Sequence, residues 1–333
     1  MSFTGSLVLS GIGGLVYKYG GQQSERETEV PVGFQSLTIG FFQARIRVFR
    51  TRLETLSRTF WRQLVETSGY KYPIRGVSEM FRSGAYFFPW ARAFAFYLVL
   101  YLTIAFIYFC TILPVYLALL AFLGPIGFAI AYLHFLLHSN MLTMMVMRFT
   151  QLHNSLFDLA LVHNGKEIFV KTAIQSPTLP KRYYVPLNTY YFWLNYLPWR
   201  IFIFGFGFTV LIVLLLISFI PIIGPFIFNA LISPFIARIY FSRFLRLKKL
   251  DNKQRNDEFY FNFGTYVSFG FVAGQLEILP FVSGLIYSSN SVGGGLFAIK
   301  ALDSEHAAAP SGATAAATAA VSGSQARQDT TVA

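Results

Sequence analysis

The segment "AFLGPIGFAIA", Ala121 to Ala131, places a Gly-Pro pair in the middle of a long apolar run. Proline lacks a backbone N–H donor and clashes with the preceding turn, so a straight helix should not continue through it. No Asp, Glu, Lys or Arg occurs between Ala93 and Met147. The combination recurs in "IIGPFIFNA", Ile222 to Ala230, inside a second charge-free run at 201–237. The pattern predicts helices that bend inside apolar surroundings.

The composition identifies those surroundings as a membrane. The chain is 54% hydrophobic and only 13% charged, whereas soluble domains carry about 25% charged residues. Each charge-free run is longer than the roughly 20 apolar residues that a spanning helix needs. We therefore predict an all-α integral membrane protein built from helical hairpins, with about four to six membrane segments. A soluble domain with a very large buried core is the disfavoured alternative.

Basic residues flank both apolar runs. Arg92 precedes the first run and Arg148 follows it, while Arg200 precedes the second. A basic cluster follows the second run: Arg238, Arg243, Arg246, Lys248 and Lys249. Because Lys and Arg mark cytoplasmic flanks, each run is expected to begin and end on the cytosolic side, with both chain termini cytosolic. Each run must then turn in its uncharged middle.

Helix breakers lie where those turns are expected. The predicted hairpin tips are Pro114, Gly124, Pro125, Pro221, Gly224, Pro225 and, in a third apolar segment, Pro280. Lipid offers no hydrogen-bond partners, so backbone groups freed at a bend should be satisfied by packing on protein. Two alternatives stay open: the tips remain in the hydrocarbon as re-entrant hairpins, or they reach the far surface as turns of spanning pairs.

These segments divide the chain into three regions. Residues 1–92 are predicted to form an N-terminal cytosolic and interfacial region, and 93–300 a membrane domain. The membrane domain contains three predicted hairpins: 93–147, 201–237 and 259–299. Residues 301–333 are mostly small and polar, a composition that buries too little apolar surface to become ordered. We predict that they form a disordered tail.

The N-terminal region contains a predicted basic amphipathic helix at 41–65. Apolar residues spaced by four and three share one face: Phe42, Ile46, Phe49, Leu53, Leu56 and Phe60. Arginines occupy the remaining positions: Arg45, Arg47, Arg50, Arg52, Arg58 and Arg62. Such a helix is suited to lying on a membrane surface. Membrane lipids, including a neutral-lipid droplet surface, are the expected partners, and no nucleic acid is. Packing on a partner helix is the alternative, and the oligomeric state is left open.

Few residues suggest chemistry. His134 and His138 share a helical face in "HFLLH", a spacing that can bind metal. His153 precedes Asp158 with the spacing of a His-x4-Asp acyltransferase motif, in which histidine acts as general base. The companion motifs of such enzymes are not recognisable. We predict a protein that is not an enzyme, without catalytic, metal or cofactor sites, and keep a lipid-modifying enzyme as an alternative.

Glu277 is the one acidic residue within the third apolar segment. An intramembrane carboxylate is a functional candidate by default, because burying its charge is costly. Gln275 and Pro280 equally suggest that Glu277 marks an interface where a hairpin starts. In a permease, polar residues such as Asn229, Glu277 and Asn290 would have to line a path through the membrane.

Two segments carry a resemblance to known proteins. "YPIRGVSEMFRSGAYFFPWARAF" (Tyr72 to Phe94) and "EILPFVSGLIYSSNSVGGGLFAIKALDSE" (Glu277 to Glu305) resemble fungal lipid-droplet and outer-spore-wall proteins. Those proteins are similar to the wider etoposide-induced, CysZ-like integral membrane superfamily. The resemblance implies helical hairpins, residence on lipid droplets or the endoplasmic reticulum, and a part in spore-wall assembly. It implies no catalytic residues. Its bacterial branch implies sulfate uptake, which makes an anion channel or permease the alternative function.

Overall fold

The computed structural model describes residues 39–175, 190, 192–250 and 252–308. Within those ranges every regular element is helical, which confirms the predicted all-α class. The helices are α1 (Ile39–Glu66), α2 (Lys71–Arg82), α3 (Phe87–Thr111), α4 (Leu113–Leu120), α5 (Pro125–Phe149), α6 (His153–His163), α7 (Glu167–Gln175), α8 (Leu197–Ser218), α9 (Ile223–Leu231), α10 (Ser233–Leu247), α11 (Asn252–Phe261), α12 (Phe263–Leu276) and α13 (Ser283–Ala308). Short 3₁₀ segments lie at Gly84–Tyr86 and Ala121–Leu123, and a π-helical turn lies at Phe192–Tyr196.

The first predicted hairpin reverses at its Gly-Pro pair. Gly124 has a φ of +61° and directly precedes Pro125, the first residue of α5. A left-handed φ suits glycine, and proline suits a first helical position because its missing donor is not needed there. After the reversal α5 packs on both α3 and α4. Pro114 instead lies in the first turn of α4, just after α3 ends, so it interrupts the first arm of the hairpin.

The second predicted hairpin reverses slightly earlier than its Gly-Pro pair. Pro221 and Ile222 form the turn between α8 and α9, and Ile222 has a φ of +65°. Gly224 and Pro225 lie in the first turn of α9, which packs back on α8. Pro280 lies in the turn between α12 and α13. Whether these tips remain in the hydrocarbon or reach the far surface stays a prediction.

Among the described residues, three helical segments are long and apolar enough to cross a bilayer: Gly84–Thr111, Pro125–Phe149 and Phe192–Ser218. Helices α9 and α10, bent by 54° relative to each other, raise the number to four when they count as one span. Four spans would be the lower end of the predicted range of about four to six membrane segments. The third predicted hairpin forms α12 and α13, neither of which is among these segments. With 14 residues, α12 is shorter than a spanning helix of roughly 20 residues.

The aromatic core lies where α10, α12 and α13 meet. Phe241 on α10 is 4.7 Å from Phe269 on α12 and 4.7 Å from Phe297 on α13, measured between ring centroids. Tyr240, the neighbour of Phe241, lies 6.0 Å from Phe269 and 5.9 Å from Tyr287. Contacts at these distances add to the stabilisation from buried apolar area. The third predicted hairpin is therefore largely enclosed by protein.

Two region boundaries differ from the prediction. Helix α13 continues to Ala308, so the predicted start of a disordered tail at 301 is wrong for 301–308. The extension is held in place because Leu302 is buried and Asp303 and Glu305 form ion pairs with lysines. The first candidate span begins at Gly84, before the predicted boundary at 93, because the 3₁₀ segment Gly84–Tyr86 leads directly into α3. Residues 1–38 and 309–333 lie outside the described residues.

Candidate functional site in the buried polar network

Glu277 lies directly after α12 and holds a buried ion pair. Its Oε2 accepts a hydrogen bond from Nη2 of Arg148 at 2.5 Å, and the two side chains are 0% and 3% exposed. Its Oε1 accepts from the hydroxyl of Tyr240 at 2.5 Å and from Nδ2 of Asn290 at 2.6 Å. Three other helices, α5, α10 and α13, therefore each contribute a donor to one carboxylate.

Burial explains why the Glu277 carboxylate needs so many donors. Removing two charges from water costs more than their attraction returns unless the geometry is good and the remaining lone pairs are satisfied. Short, charge-assisted hydrogen bonds meet that condition. The sequence pointed to Glu277 as an intramembrane polar candidate, but its partner Arg148 was assigned only to a cytosolic flank. Nothing in the local sequence around Arg148 indicates that it is buried.

The turn between α12 and α13 is held by the first hairpin. Nδ2 of Asn140 donates to the backbone carbonyls of Glu277 and Ile278, both at 2.8 Å. The Tyr97 hydroxyl donates to Oδ1 of Asn140 at 2.8 Å, and it accepts from the backbone N–H of Phe281 at 3.2 Å. Backbone groups freed at this turn are thus paired by side chains of the first hairpin.

His153 extends the network on the other side of Tyr240. It is the first residue of α6, and its ring lies 5.6 Å from that of Tyr240. The hydroxyl of Tyr287 donates to the Met147 carbonyl at 3.2 Å, so it accepts from Nδ1 of His153 at 3.1 Å. Burial, with a smaller contribution from the positive charge of Arg246, lowers the pKa of His153 to about 4. The imidazole is therefore neutral at pH 7.

Acidification is expected to destabilise the protein through His153. The unfolded chain binds a proton as the pH falls through 6.5, whereas the folded protein binds it only near a pKa of about 4. Between these values the unfolded state holds more protons, so stability decreases by up to about 1.4 kcal/mol per pH unit as the pH falls. We expect melting temperatures in detergent to decline less steeply from pH 7 to pH 5 in His153→Gln. Replacement of the exposed His163 by Gln is the control, and equal slopes for both variants would contradict the assignment.

A second polar cluster connects the first two hairpins. Nδ1 of His138 forms a hydrogen bond with the Tyr108 hydroxyl at 2.9 Å, and its Nε2 forms one with the Ser218 hydroxyl at 3.3 Å. The neighbouring His134 accepts from the backbone N–H of Ile222 at 3.4 Å. Both histidines are buried. The contacts to Ser218 and Ile222 attach the turn after α8 to the first hairpin.

The described ranges contain no group of three or more His, Cys, Asp or Glu side chains that could hold a metal ion. The two members of the His-x4-Asp spacing also have different partners. Nδ1 of His153 is bonded to Tyr287, whereas the Asp158 carboxylate accepts from Nε and Nη2 of Arg243 at 2.8 and 2.5 Å. In this arrangement Asp158 does not orient the histidine. A lipid-modifying enzyme stays an untested alternative.

The predicted basic helix forms α1 and packs along one side against α11 and α12. Nη2 of Arg52 donates to Asp257 at 2.6 Å, and Nε2 of Gln63 donates to the Phe261 carbonyl at 2.5 Å. Phe60 lies 6.2 Å from Phe263 between ring centroids. Part of α1 therefore packs on other helices, as the alternative prediction had it, and those helices belong to the same chain.

The predicted apolar face of α1 is packed at Phe60 but stays open nearer the start of the helix. Ile46, Phe49 and Leu53 are 61%, 60% and 54% exposed. Three arginines have partners on α1 itself: Arg45 lies over the ring of Phe41, Arg50 pairs with Glu54, and Arg62 approaches Glu66 at 3.9 Å. Arg47 and Arg58 are exposed, and no salt bridge joins them to another described residue. An apolar strip bordered by arginines is thus available for an external surface.

Together these features define an all-helical membrane protein whose apolar hairpins are joined by buried polar clusters. The chain is 39% identical over 299 residues to outer spore wall protein LDS1 of Saccharomyces cerevisiae, covering 89% of this chain and 90% of the relative. It therefore belongs to the family of yeast outer spore wall proteins, and the outer-spore-wall part of the predicted resemblance is confirmed.

Two other yeast proteins share this similarity. Outer spore wall protein RRT8 is 28% identical over 272 residues, covering 76% of this chain and 78% of the relative. Outer spore wall protein LDS2 is 31% identical over 94 residues, 27% of this chain and 26% of the relative. No protein-family model and no solved structure matches the chain. Membership of the wider CysZ-like superfamily stays a prediction.

Proposed function

We propose that the protein is a non-enzymatic integral membrane protein of lipid droplets and the endoplasmic reticulum that takes part in building the outer spore wall. The observation that carries this proposal is the similarity to outer spore wall protein LDS1 along 89% of the chain. The similarity extends over nearly the whole chain, so it is not confined to one hairpin.

The distribution of apolar surface supports residence on droplets. Only 6% of the most apolar stretch of Phe192–Ser218 is buried within the protein, and 22% of the corresponding stretch of Gly84–Thr111. Such helices are stable only when hydrocarbon covers them. A droplet monolayer has a single aqueous face, so it accepts segments whose two ends are both cytosolic. The basic residues that flank both runs favour that topology.

Helix α1 is the proposed surface-binding element. Its exposed strip of Ile46, Phe49 and Leu53 has room to enter the boundary between headgroups and acyl chains. Arg47 and Arg58 would contact anionic headgroups, an attraction that salt weakens. Anionic lipids and packing defects in the monolayer are therefore the proposed partners of α1.

The localisation is tested by imaging the tagged chain in yeast with a neutral-lipid dye, before and after oleate feeding. We expect the signal to move from reticular membrane to droplets. Replacing Ile46, Phe49 and Leu53 by Ser weakens membrane binding, because each side chain loses about 1 kcal/mol or more of the free energy gained by moving apolar surface out of water. Because the hairpins still hold the chain in membrane, the expected change is a fall of about tenfold in the ratio of droplet to reticular signal. Gln43→Ser with Thr51→Ser, on exposed polar positions of α1, is the matched control. Persistent plasma-membrane or vacuolar signal would contradict the proposal.

The role in the spore wall needs a separate measurement. The chain is expressed in yeast that lacks LDS1, RRT8 and LDS2, and the entry of a fluorescent dextran into the resulting spores is measured. Restoration towards the wild-type level supports the proposal, and droplet localisation without any restoration counts against the spore-wall part of it.

An anion permease is the second candidate function. The observation that favours it is Arg148, a buried cation whose Nε has no hydrogen-bond partner among the residues that the structure describes. Against it, two of the residues predicted to line a path, Glu277 and Asn290, are bonded to each other. Uptake of labelled sulfate into proteoliposomes above that of empty vesicles would support the permease, and no uptake would remove it.

A further inference from the structure

A groove of about 430 Å³ lies between α7, the end of α10 and the last turns of α13. Its apolar lining includes Phe169, Ala173, Leu247 and Leu302, and Lys166 and Lys249 also border it. The volume is in the range of small-ligand sites, which are mostly apolar with a few placed polar groups. None of the interactions in the buried polar network involves this groove.

Two helix ends of the same type meet at the groove. Helix α6 ends with hydrogen bonds from the Lys166 N–H to the Leu161 carbonyl at 2.9 Å and from the Gly165 N–H to the Val162 carbonyl at 3.1 Å. Gly165 has a φ of +79°. This is the Schellman motif, in which a residue in the left-handed conformation follows the helix, and that residue is usually glycine.

Helix α10 ends in the same motif with a lysine in the glycine position. The Leu250 N–H donates to the Leu245 carbonyl at 3.3 Å, and the Lys249 N–H donates to the Arg246 carbonyl at 3.0 Å. Lys249 has a φ of +57°. A side chain in this conformation costs about 1–2 kcal/mol. A cation favours a helix C-terminus, but Lys248 already provides one there. The backbone alone would therefore favour glycine at 249.

The other lysines around the groove are neutralised by carboxylates. Lys166 pairs with Asp303 at 2.6 Å, Lys171 pairs with Glu167 at 2.5 Å, and Lys248 pairs with Glu305. Lys249 is exposed, and within the described part of the chain no carboxylate pairs with it. It is thus an unneutralised cation at the mouth of an apolar groove.

The groove lies next to the end of a candidate membrane span. Lys249 lies just beyond Leu247, where the bent candidate span of α9 and α10 ends. On α7, Ile168 is 81% exposed and Ile174 is 58% exposed, so apolar surface continues outward from the groove. A ligand with a hydrocarbon part can therefore reach the groove from the lipid phase.

We propose that this groove binds a free long-chain fatty acid. Its carboxylate would pair with Lys249, and the first part of its chain would lie on Phe169, Leu247 and Leu302. Among the described residues that line the groove, Lys249 is the one cation without a carboxylate partner, and this cation and a volume near the lower end of ligand sites fit one acyl chain with one carboxylate. This inference goes beyond the proposed function and does not depend on it.

The test uses the full chain in phosphatidylcholine nanodiscs with a diazirine-bearing palmitate. Cross-linked peptides, identified by mass spectrometry, are expected to include 165–173 or 247–250. We expect Lys249→Gly to weaken saturable labelling about tenfold, the factor that corresponds to about 1.4 kcal/mol. Lys249→Arg should retain labelling, and Lys171→Gln is the control on a nearby paired lysine.

Stability separates ligand binding from a purely structural role of the lysine. Because glycine suits the left-handed conformation, Lys249→Gly should melt at the same temperature as the parent protein or higher while it loses the ligand. Groove labelling equal to the parent in Lys249→Gly would overturn the proposal. So would equal labelling by the uncharged methyl ester of the probe. Labelling that only phosphatidic acid displaces, and not palmitate, would assign the groove to a phospholipid and overturn the fatty-acid assignment.

Discussion

Glu277→Ala is expected to lower the free energy of unfolding by about 3–5 kcal/mol, because it leaves Arg148 as a buried charge without its carboxylate. The Arg148 side chain is 3% exposed, so water cannot replace the lost partner without a rearrangement of the surrounding helices. The hydroxyl of Tyr240 and Nδ2 of Asn290 lose the same acceptor. The measurement is the shift of thermal unfolding in detergent, together with the amount of folded protein recovered.

Two comparisons give this expectation its specificity. The double variant Glu277→Leu with Arg148→Met removes both charges, and it should recover much of the loss because an apolar pair needs no compensating hydrogen bonds. Arg52→Ala breaks the ion pair between Arg52 and Asp257, whose two side chains are 26% and 53% exposed, respectively. This substitution should lower the free energy of unfolding by less than about 1 kcal/mol. Similar losses for Glu277→Ala and Arg52→Ala would contradict the role of the buried network.

Gly270→Ala is expected to be a strongly damaging replacement of a glycine by alanine, lowering the free energy of unfolding by about 3 kcal/mol. A Cβ at Gly270 would lie 1.8 Å from the carbonyl oxygen of Ser233 and 3.1 Å from the backbone nitrogen of Ala237. Helices α10 and α12 would have to separate, and the aromatic core between them would open. Thermal unfolding in detergent again measures the effect.

Gly205 on α8 provides the matched control. A Cβ added there meets no atom within 4 Å, so Gly205→Ala should be neutral or stabilising by up to about 1 kcal/mol. A comparable loss of stability at both glycines would show that the effect comes from helix propensity or the lipid environment, and that close approach of α10 and α12 is not its cause.

Several features of the fold could be predicted because they depend on local chemistry. Pro125 and the adjacent Gly124 end one helix and begin the next whatever surrounds them, and the absence of charge over 93–147 requires an apolar environment. The spacing of apolar residues over 41–65 likewise predicted the helix that forms α1. In each case the residues that carry the signal are neighbours along the chain.

The candidate sites depended on residues that are distant in the sequence. Glu277 was recognisable as unusual, but its partner Arg148 lies 129 positions away, and Asn140 and Tyr240 meet it only after the hairpins have packed. The groove beside Lys249 needed the ends of α6 and α10 to converge, which no periodicity indicates.

The sequence by itself determined that this protein is helical, that apolar hairpins anchor it, and that a basic amphipathic helix precedes them, since composition, periodicity and helix breakers act within a few residues. Only the tertiary structure decided that Arg148 is buried, that α1 has one side packed on α11 and α12, and that Lys249 borders an apolar groove. These outcomes depend on which helices become neighbours, and the packing of helices is determined by the sum of many contacts between distant parts of the chain.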